Sequence, residues 1–165
     1  MRELLIEIFG NFTRLIILLH IVSATLLIGG LFVLRVVAAP VLKRIKDDKD
    51  RVEKSLFLMK RFGIFVLPVM LVLILASVFM NVGLGFKYGN PTMYILVHTK
   101  EAIWTFIAFN FIYMIFKYKN AKKAYSEGEW VEAEENIVLM INYLIPLNFV
   151  LGFIATYLGI ILRGY

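Results

Sequence analysis

The sequence contains no cysteine, which excludes a disulfide framework, cysteine-ligated zinc, iron–sulfur clusters and thiol catalysis. It is also poor in charge, because only 18% of its 165 residues are charged, against about 25% in an average soluble domain. Hydrophobic residues make up 61% of the chain, and a globule of this length has too little interior to bury them. These figures exclude an ordinary soluble enzyme and a disordered chain.

The apolar residues fall into four segments, each long enough to cross a bilayer as a helix, which takes about 20 residues. A short turn at 87–92, with Asn, Gly and Pro, makes the second and third helices antiparallel neighbours. The sequence thus predicts one domain over residues 1–165, an all-α integral membrane protein built as a four-helix up-and-down transmembrane bundle. The predicted spans are residues 15–41, 62–86, 93–116 and 137–162.

The residues before the first span do not form a signal peptide, because polar side chains interrupt the apolar run and no cleavage pattern follows. Leu4, Leu5, Ile8 and Phe12 share one helical face. This pattern predicts a short N-terminal interfacial helix that leads into the first span.

Lysine and arginine are unevenly distributed between the two sides of the predicted bundle. Twelve lie in the loops 42–61 and 117–136, and four lie on the opposite side. Because basic loops stay in the cytoplasm, both termini are expected outside. The net charge of +6 therefore indicates topology and contact with a lipid bilayer, and no nucleic-acid partner is expected. The predicted location is a prokaryotic cytoplasmic (inner) membrane.

Ionisable residues inside spans are costly, so each is a functional candidate. The two histidines, His20 and His98, both lie six residues inside the predicted outer boundary, roughly 9 Å deep. Their spans are expected to be diagonal neighbours, roughly 11–14 Å apart. Two imidazoles across that gap suit one metal ion, and a b-type haem with two axial histidines near the outer leaflet fits this arrangement.

Further residues are predicted to complete this cofactor site. The second and fourth spans bring Met80 and Tyr157 to about the same depth. At the outer rim, Arg14, Lys87 and Arg163 are placed to pair with haem propionates.

Lys100 and Glu101 are the predicted catalytic residues. Glu101 shares the helical face of His98 and either orients its imidazole or relays a proton. Lys100 lies about 200° around the helix from His98, so an alternative has Lys100 inward and His98 at a helix–helix seam. The structural alternatives are that Lys100 pairs with Glu101 or snorkels, and that each histidine only hydrogen-bonds the next helix.

The first span resembles a known family of small four-helix membrane proteins. His20 is followed about ten residues later by Gly29-Gly30-Leu31, and His98-Thr99-Lys100 occurs in the third span. Both segments resemble those of proteins related to the copper-resistance D family and the HemJ-type protoporphyrinogen oxidases. The chain departs from the HemJ type at Leu27, where a tryptophan is usual, and it has no proline between Leu34 and Arg35.

The resemblance implies that His20, with either His98 or Lys100, binds or acts beside a b-type haem. It also implies oxidation of protoporphyrinogen, with electrons passed onward in the membrane. The first hypothesis is therefore a haem redox protein with a porphyrinogen or quinone substrate. One alternative is copper transport or resistance, with His20, His98, Met80 and Met93 as ligands. Another alternative is a non-catalytic membrane subunit or scaffold. Each of these hypotheses leaves open whether the protein forms a homo-oligomer.

Overall fold

The computed structural model describes residues 2–85 and 91–163, and within them every regular element is a helix. Of the predicted turn at 87–92, only the last two residues are described, and they begin a helix. In chain order the elements are α1 (Arg2–Val33), a π-helical segment (Leu34–Ala38), α2 (Ala39–Lys43), α3 (Asp48–Gly83), α4 (Pro91–Glu127), α5 (Trp130–Leu139), a second π-helical segment (Met140–Leu144) and α6 (Ile145–Arg163).

These elements join into four long helices that are apolar enough to cross a membrane, which confirms the four predicted apolar segments. Each extends beyond its apolar segment. The second long helix, for example, has 36 residues and is about 54 Å long, against about 30 Å of bilayer hydrocarbon. The four long helices are Arg2–Lys43, Asp48–Gly83, Pro91–Glu127 and Trp130–Leu162.

The four long helices pack in up-and-down order. The first lies against the second and the fourth, and the third also lies against the second and the fourth. The first and third are therefore diagonal, as predicted. The connections 44–47 and 128–129 lie at one end, which we call the basic end. The start of α1 and the end of α6 lie at the other, which we call the termini end.

The core runs along the bundle axis and is almost wholly apolar. Its most deeply buried members include Leu31, Leu73, Ile107, Met140 and Ile145. Apolar side chains also cover the outside of the bundle, which is typical of helices that are apolar all round. Exposed examples are Ile64, Leu71, Ile95, Phe109, Phe153 and Ile160.

The N-terminal segment is a helix that bends before it enters the bundle. Phe12 has non-helical backbone angles (φ −121°, ψ 22°) and marks a kink inside α1. Before the kink, Phe9 is buried against Gly83 at the end of α3, where an added Cβ would overlap the Phe9 ring. The predicted short N-terminal helix is thus present, but Phe9 is its buried residue, and Leu4 is exposed.

Both π-helical segments are followed by a proline at the same spacing. Pro40 comes two residues after the first segment, and Pro146 comes two residues after the second. A proline has no N–H for the i−4 carbonyl, and its ring clashes with that carbonyl in a regular α-helix. The wider turns ahead of Pro40 and Pro146 are the local response to this clash.

A helix cap and a glycine form the two connections between long helices at the basic end. The Asp47 carboxylate accepts a hydrogen bond of 2.8 Å from the Asp50 backbone N–H and so caps the start of α3. Gly128, with a φ of +84°, makes the tight connection from α4 to α5. The helices therefore reverse direction over very few residues.

Candidate functional site

A cluster of polar side chains lies inside the termini end of the bundle. An apolar cluster of Phe9, Ile16 and Ala76 packs between α1 and α3 at that end. His20 follows one turn further along α1 from Ile16. The polar cluster therefore begins next to this apolar cluster, on the side toward the middle of the bundle.

His20 is half-buried and is held by α3. Its Nδ1 lies 3.2 Å from the Ser77 hydroxyl oxygen. A metal-binding histidine uses one ring nitrogen for a supporting hydrogen bond of this kind and the other for the metal. Ser77 therefore fixes the ring orientation that would present Nε2 as the ligand atom.

Lys100 is half-buried, and its amine points toward the fourth long helix. A Cβ placed on Gly159 of α6 would lie 3.2 Å from the Lys100 Nζ, so the absence of a side chain there makes room for the amine. The Lys100 side chain therefore reaches the space between the third and fourth long helices.

His98 faces the outside of the bundle instead. Its side chain is 43% exposed, its Nδ1 lies 3.2 Å from Glu101 Oε2, and its ring packs edge-on against Tyr94 with centroids 4.2 Å apart. No contact joins His98 to His20 in the part of the chain that the structure describes. Of the two arrangements open from the sequence, these contacts favour Lys100 as the inward group, and a metal shared by both histidines stays a prediction.

Glu101 connects the second and third long helices. Its Oε1 accepts a hydrogen bond of 3.2 Å from Asn81 Nδ2 of α3, while Oε2 contacts His98. The carboxylate is 39% exposed, so it lies at the edge of the polar cluster. The contact expected between Glu101 and the His98 imidazole is therefore present, at the surface of the bundle.

Trp104 of α4 is a further residue that the sequence did not single out. Its indole Nε1 is buried and has no hydrogen-bond partner among the described residues. A buried indole N–H normally finds an acceptor, so an unpaired one marks a place for an acceptor that the chain itself does not supply. Trp104 follows Lys100 by one helical turn, and that i, i+4 spacing was the available signal.

The remaining predicted cofactor residues lie on several elements. Met80 packs against the apolar cluster of Phe9, Ile16 and Ala76, and Tyr157 is 60% exposed on α6. Arg14 is exposed on α1. Arg163 ends α6, but its side chain, like the whole of Lys87, lies outside the described residues. The roles predicted for Met80, Tyr157, Arg14, Lys87 and Arg163 in a cofactor site therefore stay predictions.

The polar cluster offers few side chains that could bind a metal ion directly. Among the described residues, no group of three or more His, Cys, Asp or Glu is placed to hold a metal ion. A haem iron needs only one or two axial ligands from the protein. The His20 imidazole meets this need, and the Lys100 amine and the unpaired Trp104 N–H are donors for a carboxylate. Haem binding by these donors stays a prediction.

The middle of the bundle holds a separate polar contact. Asn110 Nδ2 donates to Asn148 Oδ1 at 3.0 Å, and both side chains are buried. The contact joins the third and fourth long helices and needs no ligand. The contact lies between the polar cluster at the termini end and the charged residues at the basic end.

The fold and the cluster together define a class: an all-helical bundle of four membrane-length helices with polar residues in its interior. No family model matches the chain, and no solved structure matches it. Over 156 residues it is 32% identical to an uncharacterized protein of Aquifex aeolicus (strain VF5), and the match covers 92% of this chain and 96% of that protein. The chain belongs to the same family as the Aquifex protein. The resemblance to the copper-resistance D and HemJ types stays a prediction.

Proposed function

We propose that this chain is an integral membrane redox protein that holds a b-type haem at the termini end, with His20 as an axial ligand. The observation that carries the proposal is the placement of His20. Its imidazole is half-buried in an apolar bundle and is oriented by Ser77. An imidazole in such a position is costly in lipid unless it has a partner or a function.

The proposal includes a membrane orientation. The bundle crosses a prokaryotic cytoplasmic membrane with the basic end in the cytoplasm and both termini outside. The apolar outer surface supports insertion. The concentration of Lys and Arg at the basic end supports this direction. The haem site then lies near the outer leaflet.

The cluster residues have separate roles in this proposal. When Nδ1–H of His20 donates to Ser77, the lone pair of Nε2 is available to iron. Lys100 and Trp104 supply two N–H donors, one turn apart, for the propionate of a haem or the carboxylate of a substrate. The haem, when bound, supplies one-electron transfer.

Glu101 and His98 suit proton transfer at the edge of the site. A hydroquinone or a porphyrinogen loses protons together with electrons. The Glu101 carboxylate and the His98 imidazole are in contact and both are partly exposed. They can therefore accept a proton from the site and release it at the surface. The proposed substrate is a quinone or a porphyrinogen.

Spectroscopy of the full chain in detergent tests the proposal. Oxidised and dithionite-reduced spectra are expected to show a Soret band and sharp reduced α and β bands in stoichiometric amount. His20→Ala should abolish or shift these bands, whereas His98→Ala, which alters an outward-facing ring, should leave them nearly unchanged. Circular dichroism of both variants checks that the helices remain. A protein that stays colourless after reconstitution with haem would refute the proposal. Copper found in the purified protein instead of haem would support the copper alternative.

A structural membrane subunit is the second candidate, and the contacts between helices favour it. Asn81 with Glu101, Asn110 with Asn148 and Arg35 with Asn142 each join two long helices without any ligand. On this interpretation the purified protein binds neither haem nor copper. The variants would then change only its stability.

A further inference from the structure

A cavity of about 340 Å³ opens at the basic end, far from the polar cluster around His20. It lies between the end of the first long helix, the start of α3 and the α5 end of the fourth long helix. Its volume is at the lower end of the roughly 300–1,000 Å³ that small-molecule sites occupy. Its apolar wall includes Ala39, Leu42, Val52, Ile137, Val138 and Ile141, and its polar lining is Lys43, Arg51, Ser55, Glu134 and Asn142.

The cavity lies beside both π-helical segments, although only the second contributes lining residues. Ile141 and Asn142 belong to the second segment, and Ala39 directly follows the first. Arg35 Nη1 of the first segment donates to Asn142 Oδ1 of the second at 3.0 Å. Two irregular turns are thus joined beside the same cavity. Such turns occur frequently at functional sites.

The charges around the cavity leave one ammonium group unpaired. The Arg51 guanidinium is already engaged, because it donates to both oxygens of Glu134 at 2.9 and 2.7 Å, to Asp48 at 2.6 Å and to the Ile45 carbonyl at 3.1 Å. Lys43, in contrast, has no ion-pair partner among the described residues. The cavity therefore combines an apolar wall with an available positive charge at its rim.

We propose that this cavity binds an anionic phospholipid of the cytoplasmic leaflet, with the phosphate at Lys43 and an acyl chain along Leu42, Val138 and Ile141. The inference rests on the membrane orientation in the proposed function, which puts Lys43 at the level of the headgroups. Val138 is 37% exposed, so the apolar wall reaches the outer surface of the bundle, from which an acyl chain can enter. Free phosphate shares the anionic headgroup chemistry but would leave the apolar wall uncovered.

Native mass spectrometry of the delipidated full-length protein tests this inference, with phosphatidylglycerol as the probe. Lys43→Gln is expected to weaken phosphatidylglycerol binding about fivefold. Lys46→Gln removes another exposed lysine, one outside the cavity, and it should have little effect. Phosphatidylcholine, which is zwitterionic, should bind the unaltered protein more weakly than phosphatidylglycerol.

A second pair of variants tests the apolar wall. Val138→Trp fills the cavity and should reduce phosphatidylglycerol binding, whereas Val131→Trp changes an exposed residue of α5 outside it and should not. Equal binding by the Lys43 and Lys46 variants, or by the two tryptophan variants, would overturn the proposal. So would competition by inorganic phosphate alone, which would assign a free-phosphate site. Binding is measured without haem, so its failure would leave the haem proposal standing.

Discussion

At the scale of single residues, side-chain direction decides which predicted groups work together. His98 and Lys100 are two positions apart, so a helix turns them to different sides. The structure turns Lys100 toward Gly159 and leaves His98 at the surface beside Glu101. The sequence supplied the candidates, but helical periodicity alone does not say which side of a helix faces the axis when most of its side chains are apolar.

Gly83 offers a test at the residue scale. Gly83→Ala places a Cβ where the Phe9 ring lies, so we expect a loss of about 1–3 kcal/mol in the free energy of unfolding. The N-terminal helix should also become more accessible to protease. Gly63→Ala is the matched control, because nothing lies within 4 Å of its added Cβ, and it should be neutral or stabilise by up to about 1 kcal/mol. Equal thermal unfolding of both variants in detergent would contradict the packing of Phe9 on Gly83.

At the scale of the elements, polar contacts specify how apolar helices pair. In lipid, apolar side chains gain little from contact with one another rather than with acyl chains. Interhelical hydrogen bonds therefore select among packings that apolar surfaces alone leave open. The sequence predicted the apolar parts of the four helices, but not their charged extensions or the two π-helical segments, because hydropathy does not measure backbone geometry.

The buried pair of asparagines tests the pairing of the third and fourth long helices. Asn148→Leu leaves the Asn110 amide unpaired and should destabilise by about 1–3 kcal/mol. The double variant with Asn110→Leu should recover part of that loss, because both polar groups are then removed. Thr99→Val, which removes an exposed hydrogen bond within one helix, should cost little. Additive losses in the double-mutant cycle would show that the two amides do not interact.

At the scale of the whole molecule, charge and hydropathy together bear on how the bundle would insert into a membrane. The apolar outer surface favours insertion, and the uneven distribution of Lys and Arg selects a direction. The start of α1 and the end of α6 lie at the end opposite the two short connections 44–47 and 128–129. One direction of insertion into the membrane therefore fixes the orientation of all four long helices.

The absence of cysteine makes the orientation testable with single introduced thiols. Lys46→Cys and Lys122→Cys lie at the basic end, and Thr92→Cys lies at the termini end. In intact cells, a membrane-impermeant maleimide should label only Thr92→Cys, because the proposed orientation puts the other two thiols in the cytoplasm. Permeabilised cells provide the control in which all three react. Labelling of Lys46→Cys in intact cells would reverse the proposed orientation.

The sequence by itself determined four apolar helices, their order and the concentration of positive charge at one end, because these depend on composition along the chain. Only the tertiary structure decided that Lys100 rather than His98 points inward and that the Trp104 N–H has no partner among the described residues. It also decided that the second π-helical segment lines a cavity. The physical reason is that these features depend on the rotation of each helix about its axis and on contacts between distant residues. A periodic apolar pattern leaves both undetermined when almost every face of the helix is apolar.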